Sequence, residues 1–294
     1  MSDAEDDADA MELRVDPLTG ALVQIAGSRQ SRPNLPGAAC PFCVGGTEAP
    51  QPYDTKAFVN RWPSFPADRA EVVLYSSQHG ETLASLGVGQ TRKVIDLWAD
   101  RTVALGARDD IAYVLVFENH GPEVGATITH PHGQIFGFPA VPPSPAGELA
   151  RLADGHRLLE DDPTGVRVVA ERDGWRAWVP HASVHPHGMR IAPLEQRPDL
   201  PALSDAERDG LASMLVDVFG RLDRMFASAQ PYMFWFHQRP TNGGSWPQAW
   251  LHLEIAAPWR AGGVMRFVAG GELGSGVFIN PVPPEAAADA LRRA

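Results

Sequence analysis

Three side chains able to do chemistry, His130, His132 and Gln134, stand two residues apart in the stretch Thr129-His130-Pro131-His132-Gly133-Gln134-Ile135-Phe136. In an extended strand, side chains two apart share a face. Pro131 fixes its own φ and biases His130 toward extended geometry, so a strand with all three groups on one side is predicted. A neutral imidazole can bind a metal or attack a phosphorus atom, and an amide can donate to phosphoryl oxygens. Taken alone, the stretch also fits a surface strand rich in histidine. Its surroundings decide between the two.

The two cysteines, Cys40 and Cys43, stand in one C-x-x-C followed by Val44-Gly45-Gly46. A disulfide is disfavoured in a cytosolic chain, which leaves a metal knuckle or a redox pair. A redox C-x-x-C opens a helix. Here Pro41 and the two glycines oppose one, so metal is favoured. Two thiols do not complete a tetrahedral site, so two ligands must come from elsewhere. His79, in a turn before Gly80, is a candidate. Arg29 and Arg32, three apart in a polar loop, could grip phosphate oxygens or be ordinary surface charge.

The chain has 294 residues, 44% of them hydrophobic, and a net charge of −11. That length allows one large domain or two ordinary ones. The acidic balance, with no basic run, argues against a nucleic-acid partner and an acidic membrane surface. A small anionic substrate held by a local arginine cluster is still allowed. No apolar run is long enough to span a bilayer. The first ten residues are acidic and lack the basic-then-apolar profile of a secretory signal; a disordered tail and a cytoplasmic location are expected.

The elements that must position these groups follow from periodicity. Val94, Ile95, Trp98, Thr102 and Leu105 share one face of a helix predicted over 90–105. Ser204 and Glu207 form a capping box, opening a helix whose apolar face runs from Leu211 to Phe226. Helices are also predicted over 148–159 and 284–293. Strands are predicted over 22–25, 71–75, 111–117, 166–170, 175–179, 232–236, 250–255 and 263–269. His252 and Glu254 alternate onto one face of the seventh of these. The glycine-bearing loop through Gly125 and Thr127 can present backbone N–H groups to a phosphate. Four prolines between 139 and 145 mark a boundary. Beyond it, His185-Pro186-His187-Gly188 echoes the first motif, with Met189 where Gln134 stood, so the second copy is read as structural. The order predicts an α+β protein with a mostly antiparallel sheet and flanking helices.

Cys40-x-x-Cys43, Asn119 and Gly125-x-Thr127-x-x-His130-Pro131-His132-Gly133-Gln134 together resemble the galactose-1-phosphate uridylyltransferase family of the histidine-triad superfamily. The resemblance runs from Asp16-Pro17-Leu18-Thr19-Gly20 to Arg266-Phe267. It implies two histidine-triad-like halves, here 11–141 and 146–294 after a tail at 1–10. It implies zinc on Cys40, Cys43, His79 and His130, His132 as nucleophile, and Gln134 as the phosphoryl-oxygen donor. Arg29 and Arg32 would reach the sugar phosphate, Asn60, Asn119 and Thr127 would line the nucleotide site, and Arg266, Phe267 and Glu272 the sugar side, in a homodimer. A second metal, iron or zinc, would take Glu148, His237 and His252, with Glu254 in place of a further histidine. Arg266 stands where lysine is usual, Arg61 where an acidic residue is usual, and His185 and His187 replace aromatic residues. The implied partners are a nucleotide sugar and a sugar phosphate. The implied reaction moves UMP between UDP-glucose and galactose-1-phosphate through a uridylyl-histidine. An ADP-sugar or dinucleoside-polyphosphate phosphorylase using the same histidine is the nearest alternative. A non-catalytic zinc-stabilised nucleotide-binding protein is the alternative from another class.

Overall fold

The computed structural model describes residues 11–31, 39–226 and 228–294. The expected acidic tail and Arg32 lie outside the described residues. A hairpin of β1 (Met11–Val15) and β2 (Leu22–Ala26) comes first. Then follow β3 (Lys56–Val59), β4 (Ala70–Leu74), α1 (Gly87–Gly106), β5 (Tyr113–His120) and β6 (His132–Phe138). Next come α2 (Pro143–Ala153), β7 (Val168–Arg172), β8 (Trp175–Trp178), β9 (Met189–Pro193), α3 (Asp205–Met225), β10 (Tyr232–His237) and β11 (His252–Ala256). A small hairpin of β12 (Trp259–Ala261) and β13 (Val264–Met265), then α4 (Gly270–Ser275) and α5 (Pro284–Arg293), end the chain.

Nine strands form one sheet in the order β3-β4-β6-β5-β10-β11-β9-β8-β7. Every pairing in it is antiparallel. The protein is therefore α+β with an antiparallel sheet, as the periodicities predict. The long helices α1 and α3 pack together on one face. Val94, Ile95 and Trp98 of α1 meet Leu211, Leu215 and Phe219 of α3 over Val116, Ile135 and Phe234 from the strands. The seam between β5 and β10, with Tyr232 opposite His120, joins the earlier strands to the later ones in one ladder. Among the described residues, no helix is long and apolar enough to cross a membrane.

Three expectations change. β6 starts at His132, so His130 lies just before the strand and not on its face. The helix after the proline run starts at Pro143 and ends at Ala153, five residues early at each end or more. Proline lacks an N–H that the first turn does not need anyway, so the proline run starts this helix instead of preceding it. The strand predicted over 263–269 shrinks to Val264–Met265, because Gly270 opens α4, where Glu272 accepts from the Ala269 N–H at 2.9 Å. The echo at His185 leads into β9, ahead of α3, whereas the first motif leads into β6, after α1. The two copies thus occupy different places in the fold.

The capping box is present: Glu207 N–H meets Ser204 Oγ at 3.4 Å, and Ser204 N–H meets Glu207 Oε2 at 2.8 Å. Ser204→Ala is expected to destabilise the protein by about 1 kcal/mol, read as a lower denaturant midpoint with an unchanged slope.

Candidate active site and metal clusters

β6 lies between β4 and β5, with Leu74 opposite His132, and Val72 and Phe117 flanking Gln134. Gly133, Ile135 and Gly137 are buried on the helix side, while His132, Gln134 and Phe136 alternate onto the other, half-buried face. His132 Nδ1 lies 2.7 Å from the His130 carbonyl oxygen. A carbonyl only accepts, so Nδ1 carries the proton in this bond and Nε2 keeps the lone pair. The Phe42 ring stands 5.1 Å from the His132 ring and fixes its plane from the other side.

Two cavities meet at His132. The larger, 300 Å³, is lined by Asn119, His120 and Thr129. The smaller, 160 Å³, is lined by Asn60, Trp62, Thr127 and Gln134. Asn60 Nδ2 donates to Gln134 Oε1 at 3.4 Å, which leaves the Gln134 amide hydrogens for another acceptor. Asn60 Oδ1 accepts from the Trp62 N–H at 2.9 Å, and Arg29 donates to the Trp62 carbonyl at 2.7 Å. Arg29 is thereby tied to the rim of the smaller cavity, where Arg61 faces Glu48 at 3.6 Å.

Cys40, Cys43, His79 and His130 bring four ligand atoms within 4.8 Å of one another. Cys43 Sγ lies 3.5 Å from His79 Nδ1 and 3.7 Å from His130 Nδ1. Donors about 2.0–2.3 Å from one tetrahedral ion sit at such separations. The other nitrogen of each ring is occupied. His130 Nε2 is 2.8 Å from the Ser76 carbonyl and from Tyr53 Oη, and His79 Nε2 is 3.0 Å from Thr129 Oγ1. These contacts present both Nδ1 atoms to the centre, the outer-shell arrangement that metal-binding histidines need. Burial, together with the nearby His79, holds the His130 imidazole below its ordinary value, against the pull of the Ser76 carbonyl. The cluster can hold a metal ion.

Glu148, His237, His252 and Glu254 form a second such group. Glu148 Oε2 is 2.6 Å from His237 Nδ1 and 3.2 Å from His252 Nε2. Burial pushes the Glu148 carboxyl up, but hydrogen bonds from His237 and His252 outweigh it and hold the group well below the usual range. Glu254 is already engaged: Arg190, directly across from it on β9, donates to it at 2.8 Å. Three donors converge freely, and the fourth is held by a guanidinium.

Arg266, Phe267 and Glu272 are not among the described residues that line the two cavities beside His132. Arg266 is buried against Glu272 and the Ile279 carbonyl, which anchors the turn around α4, while Phe267 points outward, 74% exposed. Sequence reasoning missed Tyr53, Ser76 and Arg190. None stands in a motif; Arg190 follows the second H-P-H-G closely, yet only strand register puts it opposite Glu254.

Two family models match the chain: galactose-1-phosphate uridyl transferase, N-terminal domain, over residues 64–142, and its C-terminal domain over residues 152–293. The galactose-1-phosphate uridylyltransferase of Thermotoga maritima is 34% identical, covering 96% of this chain and 98% of its own length. A solved structure of a uridylyltransferase superposes with a TM-score of 0.87 at 30% identity, over 96% of this chain and 98% of that one. An ADP-glucose phosphorylase from Arabidopsis thaliana, solved with bound ADP-glucose, shares the fold with a TM-score of 0.78 at 24% identity, over 97% of this chain and 99% of that one.

Cys43→Ser is expected to bind less metal than the wild type and to lower the melting temperature by about 5 °C or more. Elemental analysis beside a thermal melt checks both.

Proposed function

Because the chain belongs to the galactose-1-phosphate uridylyltransferase family, we propose that it exchanges UMP between UDP-glucose and galactose-1-phosphate by two displacements at His132. The observation that carries this reading is the 2.7 Å bond from His132 Nδ1 to the His130 carbonyl, which points the lone pair of Nε2 outward where two cavities meet. Nε2 attacks the α-phosphorus of UDP-glucose while the bond from that phosphorus to glucose-1-phosphate breaks. The uridylyl group rests on Nε2, and the His130 carbonyl shares the positive charge of the ring through the Nδ1–H. A phosphate oxygen of galactose-1-phosphate then attacks the same phosphorus, the P–N bond breaks, and the neutral imidazole returns. The leaving group is already a good one, so catalysis rests on position and on stabilising the equatorial oxygens.

Gln134 donates its amide hydrogens to those oxygens. Asn60, Asn119 and Thr127 hold the nucleotide, and Arg29 and Arg32 the sugar phosphate. A zinc ion on Cys40, Cys43, His79 and His130 supplies rigidity to the segment that carries the His130 carbonyl. Glu148, His237 and His252 offer three donors to a second ion, iron or zinc, which Glu254 joins only by giving up Arg190.

The halves 11–141 and 146–294 are two copies of one plan, supported by order: β4-α1-β5-β6 is matched by β9-α3-β10-β11, with neighbours β4-β6-β5 and β9-β11-β10 in the sheet. His252 then stands where His132 stands, at the head of its strand. The chain also works as a homodimer. The segment carrying Phe267, Leu273 and Ile279, 74%, 73% and 67% exposed, is the apolar surface that a second copy covers.

Brief incubation with UDP-glucose is expected to add one uridylyl group by intact mass, acid-labile and mapped to His132. His132→Ala is expected to form no adduct and to lose at least about 10⁴-fold in turnover. An adduct with ADP-glucose and none with UDP-glucose would move the assignment to an adenylyl transfer, and no adduct with either would favour a binding protein. Gln134→Ala should lower kcat by about 10²-fold or more with a smaller change in KM.

A further inference from the structure

Beneath the strand that carries His132 lies a set of polar groups that the reaction as described does not use. Glu118 of β5 sits between Phe117, the cross-strand partner of Gln134, and Asn119, which lines the larger cavity. Its side chain is buried in the core, where Tyr232 Oη donates to Oε1 at 2.9 Å. The other oxygen, Oε2, makes no hydrogen bond, and neither do Tyr75 Oη and Trp98 Nε1, all three fully buried. Tyr75 Oη faces Glu118, and the Tyr75 ring packs edge-on against Trp98 at 5.6 Å.

Tyr75 is also tied to the motif on both sides of His132. Its backbone N–H donates to the Pro131 carbonyl at 3.1 Å. Its hydroxyl lies directly under Gly133, where any Cβ would overlap it. Gly133 is therefore glycine because Tyr75 Oη occupies the space a side chain would need. Whatever holds Tyr75 Oη in place sets the height of the backbone between His132 and Gln134.

We propose that Glu118 is a positioning residue: as a neutral acid it bridges the hydroxyls of Tyr232 and Tyr75, and so fixes the level of His132 and Gln134 above them. A neutral carboxyl both accepts from Tyr232 and donates from its second oxygen, which satisfies two of the orphaned atoms together. A carboxylate would be a buried charge with no cation against it. Around it stand Tyr75, the residue after β4, Trp98 from α1, Tyr232 from β10 with Asp223 of α3 beyond it, and His120 of β5, whose Nδ1 is 3.9 Å away. Burial holds the His120 imidazole below its ordinary value. Burial likewise pushes the Glu118 carboxyl up to about 8, with the two tyrosine hydroxyls only partly offsetting it.

This inference rests on His132 being the nucleophile, and its test separates the two. Rates of adduct formation from UDP-glucose and steady-state kinetics are compared across pH for the wild type, Glu118→Gln, Glu118→Leu and Tyr75→Phe. The amide of Glu118→Gln can accept and donate as the neutral acid does. We expect it to keep kcat within about threefold at pH 7 and to lose the wild type's decline above pH 8. Glu118→Leu and Tyr75→Phe should slow adduct formation about tenfold or more, with KM changed much less. A second readout does not depend on activity. A carboxyl that keeps its proton to a higher pH in the folded state makes stability fall as pH rises from about 4.5 to 8. Wild type should show that slope relative to Glu118→Gln. If wild type forms no adduct, the nucleophile reading fails. If it forms one while Glu118→Gln shares its alkaline decline and stability slope, the positioning role is overturned. If Glu118→Leu does not fold, Glu118→Gln and Tyr75→Phe decide.

Discussion

The hydrogen bond from His132 Nδ1 to the His130 carbonyl, 2.7 Å long, is the contact the rest of the structure serves. It joins a side chain to a backbone group two residues away, so it exists only if the chain between them is held still. Pro131 removes one dihedral freedom from that segment. The side chain of His130 turns away from the strand into the cysteine cluster, which anchors one end. β4 and β5 pair with β6 from Leu74 to Tyr113 and anchor the other. Tyr75 closes the arrangement from below. An imidazole so fixed presents one nitrogen, in one tautomer, in one direction, and loses little entropy on reaction.

Electrostatics divide the molecule. The chain carries a net charge of −11, and beside Glu48, Arg61 and Glu123 the cavities at His132 are lined by neutral polar groups: the amides of Asn60, Asn119, Gln134 and Gln230 and the hydroxyls of Thr47, Thr127 and Thr129. Neutral dipoles fixed in place can stabilise charge on phosphoryl oxygens without first being stripped of tightly held water. The second cluster works differently: Glu148 of α2 meets His237 and His252 of the sheet, while Arg190 pairs with Glu254 across neighbouring strands.

Much of this was legible from the sequence because it is local. Spacing of two identified the strand that carries His132 and Gln134, though not where it starts, spacing of three to four the faces of α1 and α3, and Ser204 with Glu207 the start of α3. The four-ligand cluster was half legible: C-x-x-C announces itself, but His79 and His130 join it through folding. Their assignment came from resemblance to a family, and the structure brings their ligand atoms together. What the sequence hid was pairing across strands. Arg190 opposite Glu254, and Tyr75 under Gly133, are consequences of register that no local pattern encodes. The echo at His185 leads into β9 and the first motif into β6, a difference of place that the similar words do not carry. Arg266 was legible as a charged residue but not as a buried anchor, because its partners lie on α4 (Glu272) and the segment after it (Ile279), where the strand reading placed no helix.

One consequence of the sheet order concerns how a protein can change what it binds. With β11 in the place of β6, Glu254 falls where Gln134 falls, two residues after the leading histidine. The two side chains have the same length and shape and differ by an NH₂ exchanged for an oxygen. That exchange inverts the sign of what the position welcomes. An amide hydrogen invites an anion, whereas a carboxylate repels one and demands a cation, here supplied by Arg190 from the adjacent strand. One sheet can thus present, two residues after a leading histidine, an amide on one strand and a carboxylate paired with a cation on another, with no change in the backbone step between them.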